Sequence, residues 1–241
     1  MTDFDPISLA FVLALLALVP LAAVMTTSFL KIAVVLTLVR NALGVQQVPP
    51  NMALYGLALI LSAYVMGPVV MQISDNLRAT SAVTAPAAPG GAGATGMARP
   101  PVVPPTTTGN TRLDGIVEAI TSGAEPIRAF MVKNSRVEQR EFFLRTARGM
   151  WGEERSRNLK SDDLIVLIPA FVLSELTAAF QIGFLLYLPF VVIDLIVSNI
   201  LLAMGMMMVS PVTISMPLKL FLFVMIDGWT RLIQGLVLSY S

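Results

Sequence analysis

Residues 164–211 read LIVLIPAFVLSELTAAFQIGFLLYLPFVVIDLIVSNILLAMGMMMVSP and carry two charges, Glu175 and Asp194. Continued to Ser241, the stretch adds only Lys219, Asp227 and Arg231, which makes five charged residues in 78. So few charges place it in lipid or in the interior of a membrane protein. The run Met204-Gly205-Met206-Met207-Met208, closed by Pro211 and Pro217, does not suit a plain lipid anchor. Breakers beside a methionine cluster point to a segment that lines or seals a passage.

The whole chain agrees with that placement. It is 56% hydrophobic and 13% charged, against roughly a quarter charged in soluble domains. A net charge of +1 offers no basic face to nucleic acid. Cys and His are both absent. That removes thiol and imidazole nucleophiles, His bases, disulfides, haem and iron–sulfur ligation and nearly all zinc sites. No cofactor or metal is expected, and with no Gly-x-x-x-x-Gly-Lys-Ser/Thr loop, neither is ATP hydrolysis.

Outward from residue 164, four segments follow from composition: 1–79 hydrophobic, 80–111 a linker, 112–163 charged, and 164–241 hydrophobic with the methionine loop. Ile7 to Leu30 holds 24 uncharged residues, about 36 Å as helix against a hydrocarbon core of about 30 Å. The first six residues have two acids and no base, so this run reads as retained rather than cleaved. Apolar character continues to Leu43, longer than one straight crossing. The run is expected to fold back near Pro20 or to stand partly outside the bilayer. Asn51 is expected to cap a second membrane helix, Met52 to Met71, loosened at Gly67-Pro68. Lys31 and Arg40 beside the first turnaround put the 41–51 loop in the cytoplasm by the positive-inside rule, and the charged segment on the periplasmic side.

Residues 80–111 are rich in Ala, Pro, Gly and Thr, with Arg99 the only charge, a composition that buries no core. From Arg112 to Asp163, 19 of 52 residues are charged. Leu113, Ile116, Val117 and Ile120 recur at helical spacing there. Ser135-Arg-Val-Glu138 predicts a capping box opening a helix that stops near Gly149. Ser161-Asp162-Asp163 predicts the next helix start. The prolines then divide the final segment into two passes, roughly Pro169 to Leu188 and Phe190 to Met208, and a more amphipathic C-terminal helix. The fold class is all-α: membrane-type helical hairpins with a small inserted helical domain on the periplasmic side.

Met206, Met207 and Met208 step by about 100° on a helix and cannot share one face. They fit either gap-filling core packing or a soft ring that closes a pore between several subunits. Glu175, Gln181 and Asp194 stand in apolar helices, where carboxylates mark a cavity, a partner or a proton path. A structural pair is the bland alternative, for instance Asp227 with Arg231 at i,i+4. Asp194 and Asp227 lack the Gly-x-Gly-Asp setting of intramembrane aspartyl proteases, and without His no serine protease can be built.

Two blocks carry a resemblance. The first is Thr26-Thr-Ser-Phe-Leu-Lys31-Ile with Leu38-Val-Arg40-Asn-Ala-Leu-Gly44-Val-Gln-Gln-Val-Pro49-Pro-Asn51. The second is Ile168-Pro-Ala-Phe-Val-Leu-Ser-Glu175-Leu, Ala179-Phe-Gln181-Ile-Gly-Phe-Leu-Leu-Tyr-Leu-Pro189-Phe and Ile193-Asp194. It continues through Met204-Gly-Met-Met-Met208, Ile214-Ser-Met-Pro217-Leu-Lys219-Leu and Phe223-Val-Met-Ile-Asp227-Gly-Trp229. The chain resembles the FliP/SctR family, the R subunit of the export gate in bacterial type III secretion. Lys31 is similar to injectisome members, where flagellar ones tend to carry Arg.

The resemblance implies a non-enzymatic inner-membrane pore subunit of a virulence-type secretion system. It implies a pentamer-like ring with S and T partners (Q and R in flagella), working with U-type switch and V-type export subunits. The assembly projects to the periplasmic face, contacts membrane lipid and passes unfolded protein substrates. Met206, Met207 and Met208 become a gasket, and Glu175, Lys219, Asp194 and Asp227 become polar contacts between subunits. Two rivals from other classes are a proton-coupled small-molecule transporter working through Glu175 or Asp194 and a scaffold that only anchors other subunits.

Overall fold

A computed structural model describes residues 6–45, 49–84, 111–206 and 208–241. Among them every regular element is helical: α1 (Pro6–Thr26), α2 (Phe29–Ala42), α3 (Asn51–Thr84), α4 (Thr111–Asn134), α5 (Val137–Trp151), α6 (Glu153–Ser156), α7 (Leu164–Ala203), α8 (Pro211–Met225) and α9 (Gly228–Leu238). Among the described residues two helices are long and apolar enough to cross a membrane, α3 over Asn51–Arg78 and the 40-residue α7. Two bent pairs qualify only when joined, Pro20–Thr26 with α2 at 77° and α8 with α9 at 61°. Helix α7 is about 60 Å long, roughly twice the hydrocarbon core.

The chain divides into two compact units, residues 1–67 with 130–241, and residues 68–129. In the larger, α2 packs along α7, and α5 and α8 also pack on α7. Helix α2 is buried nearly all round, with Ile32, Val35 and Leu36 fully enclosed, the pattern of a helix surrounded by others. Its core continues through Leu54 and Ala58, Ala179 and Phe190, Phe223, and Leu232 and Leu236. Close approach of α2 to α7 depends on Gly183, where a Cβ would lie 3.2 Å from Leu38 Cβ and overlap the end of that side chain. Small residues serve membrane-helix contacts in this way. In the smaller unit, α3 and α4 meet where Gly123 faces Ile73.

Several local expectations are corrected. The first hairpin bends at Thr27-Ser28, with Pro20 inside α1. Pro189 does not split the final segment into two passes but lies within α7, as does Pro169; packing against α2, α5 and α8 outweighs local helix preference. The C-terminal segment is two helices rather than one, because Asp227 adopts φ 52° and turns the chain. Asn51 is the first residue of α3, not its cap, and its side chain accepts a hydrogen bond from Arg40 Nη1. Helix α3 continues past Gly67-Pro68 to Thr84.

The Ser135 capping box does not form. Helix α5 starts at Val137 with no side-chain cap from its own N-terminus. Ser174 of α7 instead accepts the Arg136 N–H at 3.0 Å, while Ser135 is held to the Val132 carbonyl. A neighbouring helix supplies the partner that the local motif was expected to supply. Helix α7 does start directly after Ser161-Asp162-Asp163, as expected, although the Asp163 side chain accepts from Lys160 N–H rather than from the helix. Most of the expected 80–111 linker, residues 85–110, lies outside the described residues.

Candidate functional site

Two buried ion pairs anchor the larger unit. Lys31 Nζ on α2 lies 3.4 Å from Glu175 Oε1 on α7, with both side chains almost wholly buried. Charges this deep require partners, because each alone would carry a large desolvation cost. Tyr240, at the C-terminal end of the chain, completes the group. Its hydroxyl donates to Glu175 Oε2, and Lys31 Nζ sits 3.6 Å from its ring centroid, a cation–π contact. Burial first, and the Glu175 carboxylate second, push the phenol above its ordinary range, so it stays a donor. The Tyr240 ring stacks on Phe130 with centroids 5.9 Å apart. Beside this group, Ser28 Oγ donates to Ser62 Oγ at 3.1 Å and ties the bend after α1 to α3.

The second pair joins α7 to α8. Lys219 Nζ lies 2.5 Å from Asp194 Oδ2 and 3.4 Å from the Ala42 carbonyl at the end of α2. Ser215, one turn before Lys219, donates to Asp194 Oδ1 at 2.6 Å. Lys219 and Ser215 are buried, whereas the Asp194 side chain is about one-third exposed. Farther along α7, Gln181 Oε1 accepts from Arg136 Nη2 at 2.8 Å. Glu175 and Lys219 thus have partners within one chain. Asp227 has no ion pair with Arg231 among the described residues; it stands before α9 in the left-handed conformation instead. Lys31, Tyr240 and Ser215 went unselected as site residues because their partners lie far away in sequence.

Met204, Gly205 and Met206 form a defined turn. Helix α7 ends with Met204 at the C-cap, and Gly205 follows with φ 74°. Gly205 N–H donates to the Leu202 carbonyl and Met206 N–H to the Leu201 carbonyl, both at 3.0 Å. These are the paired bonds of a Schellman motif, with glycine at the position that requires positive φ. Pro211 then opens α8. Met208 is fully exposed and Met206 and Met204 are exposed as well; Met207 lies outside the described residues. No group of three or more metal-ligating side chains occurs among the described residues.

The side chains gathered here form ion pairs and hydrogen bonds that tie one helix to another. What the chain has is rigid, charge-pinned helices that present an uncovered sulfur-rich turn. The sequence pattern of the FliP family matches residues 12–236. The chain is 49% identical over 237 residues to the Yop proteins translocation protein R of Yersinia pestis, covering 98% of this chain and 97% of that protein. It is 45% identical to the Harpin secretion protein HrcR of Erwinia amylovora, covering 99% and 98%. Over 98% of both chains it is 44% identical to the Virulence protein YscR of Salmonella typhimurium.

Proposed function

The chain belongs to the FliP family, and on that premise we propose that it is the R-type subunit of the export apparatus of a type III secretion system in a bacterial inner membrane. Relatives that are translocation and secretion proteins support the injectisome branch. In this reading the subunit is not an enzyme. Copies assemble in a pentamer-like ring with S-type and T-type partners, alongside U-type switch and V-type export subunits, and unfolded substrates pass along the axis. The ring projects toward the periplasm. A 40-residue α7 supports that placement, since it is too long for one straight crossing.

The observation that carries the gasket is the exposure of Met208 and Met206 at a turn whose Gly205 and Met206 N–H groups are tied back to α7. Nothing in the described part of the chain covers Met208, and a thioether adapts to a passing chain and then closes again. Met206, Met207 and Met208 from several copies would seal the channel against ions. Asp227, exposed and without an ion pair among the described residues, is the acid best placed to meet a neighbouring subunit. Glu175, Asp194 and Lys219 would meet neighbours only by exchanging partners they already hold.

Replacing Met206, Met207 and Met208 with alanine is expected to raise proton and small-solute leakage in cells expressing the assembled apparatus. Unchanged permeability would remove the gasket from the proposal. A proton-coupled transporter would need Glu175 or Asp194 free to exchange protons, and both sit against lysines. Uptake of a small solute by the chain reconstituted alone would favour that rival.

A further inference from the structure

Four of the five residues at 204–208 are methionine, and the chain has no cysteine, so all its sulfur is thioether. Met208 is fully exposed, and Met204 and Met206 are exposed beside it. The other exposed methionines among the described residues, Met52, Met71, Met150 and Met225, stand singly. We infer that the methionines of this turn are a reversible oxidation site, and that their conversion to sulfoxides unseals the channel. The inference rests on the gasket reading above and adds a chemical control to it. In that reading the turn lines the axis, where channel water and small oxidants reach it.

The step is a two-electron oxygen transfer. A lone pair on the methionine Sδ attacks one oxygen of hydrogen peroxide, the S–O bond forms and the O–O bond breaks. The sulfur is oxidised and the remaining peroxide oxygen leaves as water, so the balance needs no further reactant. A thiolate would be the faster nucleophile, but this chain offers none. Exposure then ranks the thioethers. Met131 is wholly enclosed and Met66 is buried, so the turn is attacked before either.

The change in polarity follows directly. A thioether is apolar and lets a narrow ring shed water, whereas a sulfoxide oxygen is a hydrogen-bond acceptor that holds water. The nearest backbone donors, the N–H groups of Gly205 and Met206, are already committed to the Leu202 and Leu201 carbonyls. Each new acceptor therefore turns to water, and the ring wets. Methionine sulfoxide reductases reverse the step: a dithiol is oxidised to a disulfide, the oxygen leaves as water and the thioether returns.

The test uses the assembled apparatus, purified with its partner subunits, reconstituted in dye-loaded vesicles and treated with hydrogen peroxide. Peptide mapping is expected to find a gain of about 16 Da per sulfoxide in the 204–208 segment, with Met131 still reduced. Dye release should rise about tenfold, because an unmatched polar group in the closed ring is disfavoured by at least that factor. Reductases for both sulfoxide epimers should restore the seal. A variant with Met204→Leu, Met206→Leu, Met207→Leu and Met208→Leu keeps apolar side chains of similar bulk. It should stay tight through the same treatment while Met150 is oxidised. Sulfoxide at Met150 but none at the turn would overturn the site. So would a wild type that stays tight once its turn is oxidised, or a leucine variant that leaks on oxidation as wild type does. The reductase arm needs no substitution, and a leak that reduction leaves unchanged would overturn the site as well. The alanine replacement, left unoxidised, separates the two readings. A tight alanine variant removes the gasket, whereas a leaking one beside an oxidation-insensitive wild type removes only the switch.

Discussion

The Tyr240 hydroxyl donates a hydrogen bond to the Glu175 carboxylate across 65 residues of chain, closing the C-terminus onto α7. Tyr240 also presents its ring to Lys31 Nζ, so one side chain serves both members of a buried ion pair.

Tyr240→Phe keeps the ring and removes the donor. One oxygen of a buried carboxylate then loses its partner, which costs about 1–3 kcal/mol. Tyr240→Ala loses the stacking on Phe130 as well and is expected to cost more. Thermal unfolding of the purified protein in detergent reads both. Equal stability of wild type and the Phe variant would mean that the bond contributes nothing.

Lys31 and Glu175 are 144 residues apart and both are buried. Glu175→Gln or Lys31→Met alone strands a charge and is expected to cost about 3–5 kcal/mol. The double variant removes both charges and should be more stable than the sum of the single losses predicts. A double-mutant cycle in denaturant measures this coupling. Strict additivity would mean the two groups do not act on each other.

The helical class was readable because apolar runs of 20 residues or more admit few other folds. The start of α7 after Ser161-Asp162-Asp163 was readable, since that signal is local. What misled was punctuation. Pro20, Pro189 and the Ser135 box each predicted a boundary from local preference; packing of α2, α5 and α8 on α7 overrode it at Pro189, and at the Ser135 box Ser174 accepts the Arg136 N–H instead. The ion pairs left a partial trace. Glu175 and Asp194 each needed a cation, and Lys31 and Lys219 were the lysines in apolar surroundings, but periodicity carries no pairing across 144 residues. Tyr240 left no trace at all. The Gly205 turn was within reach, because glycine directly after an apolar helix is the ordinary start of a Schellman cap.

Asp194 and Lys219 form the second pair under a different regime. The Asp194 side chain is about one-third exposed, against about 3% for Glu175. Water screens it, and Asp194→Asn still offers Ser215 an oxygen acceptor. The cost should therefore be smaller than that of Glu175→Gln. It should also shrink on going from about 0.1 M to 1 M salt, as the Debye length falls from about 10 Å to about 3 Å. Unfolding measured at both salt concentrations orders the two variants. A larger, salt-insensitive loss in Asp194→Asn would contradict this ranking.

Gly205 separates the shape of the methionine turn from its chemistry. At φ 74° a residue with a Cβ is strained by roughly 1–2 kcal/mol, and a β-branched one by more. Gly205→Val leaves every methionine in place but should unwind the bonds from Gly205 and Met206 to Leu202 and Leu201. Asparagine visits the left-handed region more readily, so Gly205→Asn should restore much of the turn. If Met206 and Met208 seal by position, the valine variant should leak solute much as the alanine replacement of the methionines does, and the asparagine variant should leak less. A tight valine variant would mean that side-chain chemistry suffices and that the turn geometry does not matter.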